Sequence, residues 1–346
     1  MGTGMVKKIV EGVGMLDMAD PRARVHGPAT SAPQRRPGSV RRTTTIDMRW
    51  ADGWGTDLLL EGRGRDLVTA LDGSVTVAAE SDLRMEVAPD RRIAAIETTP
   101  GREGVADLIG VGSGSGFRRA LAEAVAGFSG ADPIDLMLDD VPGATLVSGF
   151  AFAQWYPIEQ LLQSSSSASA TRRSMEGICT GFMPGSSGLA PDGTSRWTHR
   201  TRPVEPLDAN DDDLAWHEIR DIPEVSMRRA RRIDVWRDGD ICRADAMFQD
   251  SATRPEGGRI AVHEYGLTAT VDLSSGLLTS VTPEAHVLPY AECPLATLQV
   301  ERLVDVAVAD LRGVVLERLS GVAGCTHLND AMRALADVLL LLDKLG

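Results

Sequence analysis

The sequence predicts an α+β protein of two related units, each a mainly antiparallel curved sheet followed by packing helices, fused as an internal pseudo-dimer. Three observations lead there. The length, 346 residues, exceeds what one hydrophobic core usually serves and calls for two domains or a duplicated one. "LRMEV" (83–87) and "LTATV" (267–271) alternate apolar and polar residues as half-buried strands do. The chain also repeats itself. "RRTTTIDMRWADG" (41–53) aligns with "RRARRIDVWRDG" (228–239), setting Ile46 on Ile233 and Asp47 on Asp234. "EGRGRDL" (61–67) then lies over "DAMFQDS" (245–251), and residues 81–100 over 265–284 at the same offset.

In chain order, residues 1–40 read as a poorly ordered lead rich in Pro, Arg and Gly. A short helix is expected near "MVKKIVEGVGML", where Val6, Ile9, Val10 and Val13 share a side. The first unit spans 41–149. Within it, "GVGSGSGFRRALAEAV" (110–125) resembles a phosphate loop, but no Walker lysine and no βαβ series accompany it, so it reads as a flexible loop before a helix. An insertion covers 150–227: an amphipathic helix from "FAFAQWYPIEQLL", a Ser-rich link "QSSSSASATRRS", and the loops "ICTGFMPGSSGL" and "DANDDDLAWHE". The second unit spans 228–346, with a helical stretch through "ATLQVERLVDVAVADLRGVVLERL" and a closing motif "GCTHLND". "GATLV" (143–147) occupies the matching place in the first unit, so Ala144 stands for Cys325 and Leu146 for His327.

Composition narrows the function. A net charge of −13 and 4% aromatics argue against a nucleic-acid partner, which needs clustered basic residues or stacking rings. The run Arg228, Arg229, Arg231 and Arg232 reads as the solvated face of a strand. Lysine occurs only at 7, 8 and 344, a bias that fits a GC-rich bacterial genome. Four scattered cysteines form no disulfide framework, which points to a reducing cytoplasm. No signal core and no unbroken apolar run of membrane length is present, so no membrane partner is expected. The expected partners are a small-molecule ligand and a second copy in a homodimer.

"RIDVWRDGD" (232–240), "DAMFQDS" (245–251), "LPYAEC" (288–293) and "GVAGCTHLND" (321–330) together resemble a bacterial family known as domain of unknown function 2889. "ICTGFMPGSSGL" and "TTTIDMRWADG" are similar to its longer, duplicated members. The resemblance implies no established activity, cofactor or catalytic residue.

Candidate chemistry therefore comes from residue types and spacing. His286, Cys293, Cys325 and His327 offer a His2Cys2 set suited to zinc. Cys325 at a helix mouth, capped by Thr326, is alternatively a thiolate nucleophile with His327 as base. Ser186 and Ser187 can hydrogen-bond a ligand. Asp234, Asp245 and Asp250 recur as Asp47, Glu61 and Asp66; Asp234 and Asp245 are ligand-binding candidates. The odd spacing of Asp245 and Asp250 puts them on opposite faces of a strand. The expected function is an enzyme, a lyase or hydrolase using acid/base chemistry on a small organic substrate in a cleft between the halves. The alternative is a non-catalytic ligand-binding or assembly protein, with Cys325 and His327 only packing a corner.

Overall fold

Alternating residues in both halves build one continuous sheet. The computed structural model describes residues 7–10, 14–29, 32–157, 174–196, 200–209 and 211–346. The strands of the first half are β3 (Ser39–Trp50), β4 (Leu58–Thr69), β5 (Val75–Val87) and β6 (Ile93–Thr99). Those of the second are β8 (Ser226–Asp238), β9 (Ile241–Thr253), β10 (Arg259–Asp272) and β11 (Leu278–Val287). Their order is β11-β10-β9-β8-β3-β4-β5-β6, with short β7 (Arg202–Val204) pairing β10. The antiparallel β3–β8 pair joins the halves, with Thr44 opposite Arg231. Among the described residues the sheet runs unbroken through the boundary of the halves. The cross-strand row Ile46–Gly62–Leu83 has its counterpart in Ile233–Ala246–Leu267.

The expected helix near residue 9 is instead strand: β1 (Lys7–Val10) pairs with β2 (Gly14–Asp17), in keeping with the β-branched Ile9 and Val10. Described residues of the lead around Val25 are laid down on the protein. Val25 bridges Ala285, and the His26 and Gly27 amides donate to the Ala285 and His286 carbonyls, covering the β11 edge. The Ser-rich link and the helical continuation through Ile158, Leu161 and Leu162 lie outside the described residues.

Helices pack on one face, called the inner face here: α1 (Phe117–Ala124), α2 (Pro133–Val147), α3 (Leu311–Arg318), α4 (Thr326–Ala334) and α5 (Val338–Leu342). Met137, Leu138 and Val141 of α2 join a core with Met48, Leu60 and Met85. Leu328, Met332 and Leu341 join a second with Phe248, Tyr265 and Leu267. The long helix expected before α3 is broken. Residues Cys293–Leu303 form 3-10 turns, started at Pro294, and Asp305 takes a positive φ of 65°. The helical run Pro133–Trp155 has the length and hydropathy of a membrane span, but 78% of its most apolar window is buried inside the protein. It also carries the buried Asp135, Asp139 and Asp140, which identifies it as a core helix.

The outer face is covered too, and this overturns the solvated reading of the arginine run. Arg41, Arg42, Arg228, Arg229, Arg231 and Arg232 are all buried. Alternation sends them to both faces of β3 and β8, and each meets aspartate. On the outer face Arg41 binds Asp234 (2.6 and 2.9 Å) and Arg228 binds Asp47 (2.6 and 3.1 Å). Remaining donors reach backbone carbonyls of the covering segments, Pro33 for Arg41 and Arg220 for Arg228. On the inner face Arg42 grips Asp66 with two bonds of 2.7 Å and reaches Asp337, while Arg231 grips Asp140 of α2. Bidentate geometry is what makes such burial tolerable.

Removing one member leaves its partner charged, buried and unpaired. Asp66→Ala should therefore lower unfolding free energy by about 3–5 kcal/mol, whereas the double variant Arg42→Met, Asp66→Leu should lose less than that single one. Urea unfolding of the three proteins checks this.

Candidate functional site

A cross-strand row sets the site. Arg229 on β8 lies opposite Asp250 on β9, and Asp250 lies opposite His263 on β10. His263 continues the inward alternation of Tyr265 and Leu267, and the register shift between Ala261 and His263 falls before it. His327 enters from the first turn of α4. All three site residues meet under the helices. Asp250 Oδ1 accepts from Arg229 Nε at 2.9 Å and Oδ2 from Nη2 at 3.0 Å. The same Oδ2 is 3.5 Å from His263 Nδ1 and 3.6 Å from His327 Nε2. The imidazoles stack, centroids 3.4 Å apart and planes 17° from parallel. Phe248 closes one side, 6.3 Å from the His327 ring, with Arg229 and Arg231 over its own face.

Charge states follow from these surroundings. Burial opposes ionisation of Asp250, but Arg229, His263 and His327 outweigh it and hold the carboxyl well below its ordinary value. Burial pushes His263 down despite Asp250. Burial, then His263, pushes His327 well down. At neutral pH the cluster is one carboxylate and two neutral imidazoles, whose lone pairs are open to a ligand or cation. Neither His263 Nδ1 nor His327 Nε2 has a hydrogen-bond partner among the described residues.

Of the residues expected to carry chemistry, His327 is at this centre and Cys325 is beside it. Cys325 faces Tyr265, two residues along β10 from His263. The expected thiolate is corrected: Cys325 is fully enclosed, and burial raises its pKa more than the helix mouth and Tyr265 lower it. Cys325, not Thr326, is the N-cap residue, and its carbonyl accepts from Asn329 N at 2.7 Å. Cys293 and Cys179 border the same apolar nest, and burial lifts both thiols, Cys179 to about 12.

The His286, Cys293, Cys325, His327 zinc set does not assemble. His286 is on the outer face, its Nδ1 2.8 Å from the Gly27 carbonyl, and the sheet separates it from the other three. Ser186 and Ser187 are engaged within the protein. Ser186 donates to the Gly181 carbonyl (2.8 Å) and Ser187 to Glu292 (2.7 Å), tying the "MPGSSGL" loop to the 290–293 turn. Asp234 is held by Arg41 and Arg232; Asp245 is held by Arg232 at 2.5 Å. Asp245 does reach an outer-face pocket of about 290 Å³, lined also by Trp216, Arg232, Gln249, Glu284 and His286. The alignment of "GATLV" with "GCTHL" fails in space: Ala144 is near the C-terminal end of α2 whereas Cys325 precedes α4. The informative match is Asp66 with Asp250. Asp66 lies opposite Ala79, and its Oδ2 receives the Lys344 ammonium at 2.7 Å where Asp250 has the histidines.

Asp250 was visible in the sequence as a recurring acid; His263 was missed, although it continues the two-residue alternation of Leu267 and Tyr265. Residues 227–341 match the model of a family described as protein of unknown function (DUF2889). The match contains Asp250, His263 and His327. No curated protein and no solved structure matches the chain.

Beside the outer pocket, Glu264 is buried against the Ala29 amide (2.7 Å), and burial lifts its carboxyl to about 7 from 4.5. The folded state thus keeps this proton to higher pH than the unfolded state, so stability is lost as pH rises from about 4.5 through 7. Glu264→Gln should match the parent near pH 4.5 and exceed its stability by up to about 3 kcal/mol at pH 8, read by denaturant unfolding across pH.

Proposed function

We propose that the protein is a cytoplasmic bacterial enzyme, a hydrolase or lyase acting on a small organic substrate, with its reaction centre at Asp250, His263 and His327. The observation that carries this reading is the pair of neutral, stacked imidazoles on one carboxylate, their facing nitrogens unpaired among the described residues. A purely structural corner would be expected to satisfy these atoms, because buried polar atoms normally find partners. Arg229 fixes the carboxylate on both oxygens, so its free lone-pair direction is toward the rings. Tyr265 and Cys325 supply an adjoining wall of low polarity that strengthens electrostatic effects at the centre. Cys325 is a wall residue in this reading.

The fused pseudo-dimer belongs to the same proposal. It is supported by matching cross-strand rows, by β3 pairing with β8 at the middle of the sheet, and by the Arg42–Asp66 and Arg229–Asp250 forks at equivalent strand positions. One half then keeps a lysine-capped carboxylate and the other the histidine pair. A second reading, a non-catalytic small-molecule binder, is favoured by the outer-face pocket with Trp216, Asp245 and Glu284 on its walls.

A panel of esters, amides and hydroxy acids tests the enzyme reading. The parent should turn over at least one class, and His263→Gln or His327→Gln should each lower the rate about 100-fold or more. Cys325→Ala should stay within about threefold of the parent, since no nucleophile is removed. Equal turnover in the histidine variants would sink the proposal. Ligand-induced stabilisation lost only in Trp216→Ala would favour the binding reading.

A further inference from the structure

We infer that Asp250, His263 and His327 form a binding site for a divalent transition-metal cation of the zinc, cobalt or iron(II) class. The inference rests on the reading of this cluster as the reaction centre and adds the ion that completes it. Asp250 Oδ2, His263 Nδ1 and His327 Nε2 lie within 4.8 Å of one another. The oxygen is 3.5 and 3.6 Å from the two nitrogens. These spacings are long for hydrogen bonds. They suit shared coordination: ligand atoms held about 2.1 Å from a tetrahedral ion lie about 3.4 Å apart.

The two nitrogens are also the atoms left unpaired. His263 Nδ1 and His327 Nε2 are buried, have no hydrogen-bond partner among the described residues, and are turned to the same carboxylate oxygen. An ion would satisfy both once the stacked rings splay enough to aim their in-plane lone pairs at it. Two nitrogens and one oxygen are borderline ligands that zinc and iron(II) accept, and three protein ligands leave positions for water or substrate.

Asp66 supplies an internal comparison. It is gripped by Arg42 as Asp250 is by Arg229, yet its Oδ2 has a second cation, Lys344, at 2.7 Å. The corresponding oxygen of Asp250 faces imidazoles instead. A bound ion would supply the positive charge that lysine supplies in the other half. Around the site Arg118, Arg229, Arg231 and Arg333 already meet Asp139, Asp140, Asp250 and Asp330 one for one. The ion's charge is therefore not cancelled by the surrounding pairs. The completed site would attract an anion, either hydroxide or a carboxylate of the substrate.

The test uses full-length protein purified without chelator or nickel affinity. Elemental analysis should find close to one zinc, iron or cobalt ion per chain. After chelation, cobalt(II) should titrate to one equivalent with ligand-field absorption. His263→Gln and His327→Gln should each weaken cobalt affinity about 100-fold or more, while His286→Gln on the outer face should bind as the parent does. Near-UV circular dichroism establishes that each variant is folded. Should either misfold, zinc protection of His263 and His327 from diethyl pyrocarbonate, read by mass spectrometry in the parent, replaces it. No saturable uptake by folded parent, or uptake unchanged in both histidine variants, overturns the inference, as does absence of protection where that readout is used. Histidine-dependent turnover by a metal-free parent would reject the ion and leave the reaction centre standing. Stoichiometric ion uptake through these histidines, with turnover indifferent to them, would do the reverse.

Discussion

The buried pairing of arginine with aspartate is the constraint on which the rest of the structure depends. Six of the arginines on β3 and β8, the two middle strands, are enclosed. A guanidinium cannot lose its proton, so each must be matched by a fixed carboxylate and by carbonyls for its remaining donors. This requirement dictates what lies above and below the sheet. α2 must bring Asp140, α4 must bring Asp330, and Asp337 must stand before α5. On the other face, the lead and the insertion contribute the Pro33, Ala215 and Arg220 carbonyls. Segments without strand or helix character thus become part of the fold because they satisfy donors. Such pairs add little net stability over apolar residues, but wrong partners leave a bare charge, so a role in specifying one arrangement is the reading they support.

The candidate site grows from this lattice. Arg229 belongs to it, and its grip fixes the carboxylate that the histidines face. Placement on adjacent strands gives the row little freedom, and the helix that brings His327 is itself tied to the lattice through Asp330. A site of this construction is preorganised by neighbours serving the fold as much as the chemistry.

The sheet was legible in the sequence because two-residue alternation and the repeated stretches survive in both halves. "LRMEV" and "LTATV" lie in β5 and β10. The arginine run was misread because alternation tells which residues share a face, never whether that face is wet. The recurring Asp47, Asp66, Asp234 and Asp250 were the available signal that the basic residues had partners. His327 stood out through its motif. His263 did not, although it shares the alternation of Tyr265 and Leu267, because nothing in its own segment links it to Asp250 or His327; the His286 candidate was lost to the sheet between the faces. Local pattern carried the strands; contacts across long sequence separation carried the site.

The uninterrupted β3–β8 ladder has a mechanical consequence. Its register runs from Ser39 opposite Trp236 to Arg49 opposite Ser226, and charged pairs flank it on both sides. Two halves joined this way cannot swing like jaws, because a hinge there would have to tear a ladder and strand its arginines at once. Stiffness is greatest at the midline, and compliance is left to the connections and covering segments. Access to the histidine pair would then be governed by small displacements of the elements around it, as a drawer slides in a rigid frame.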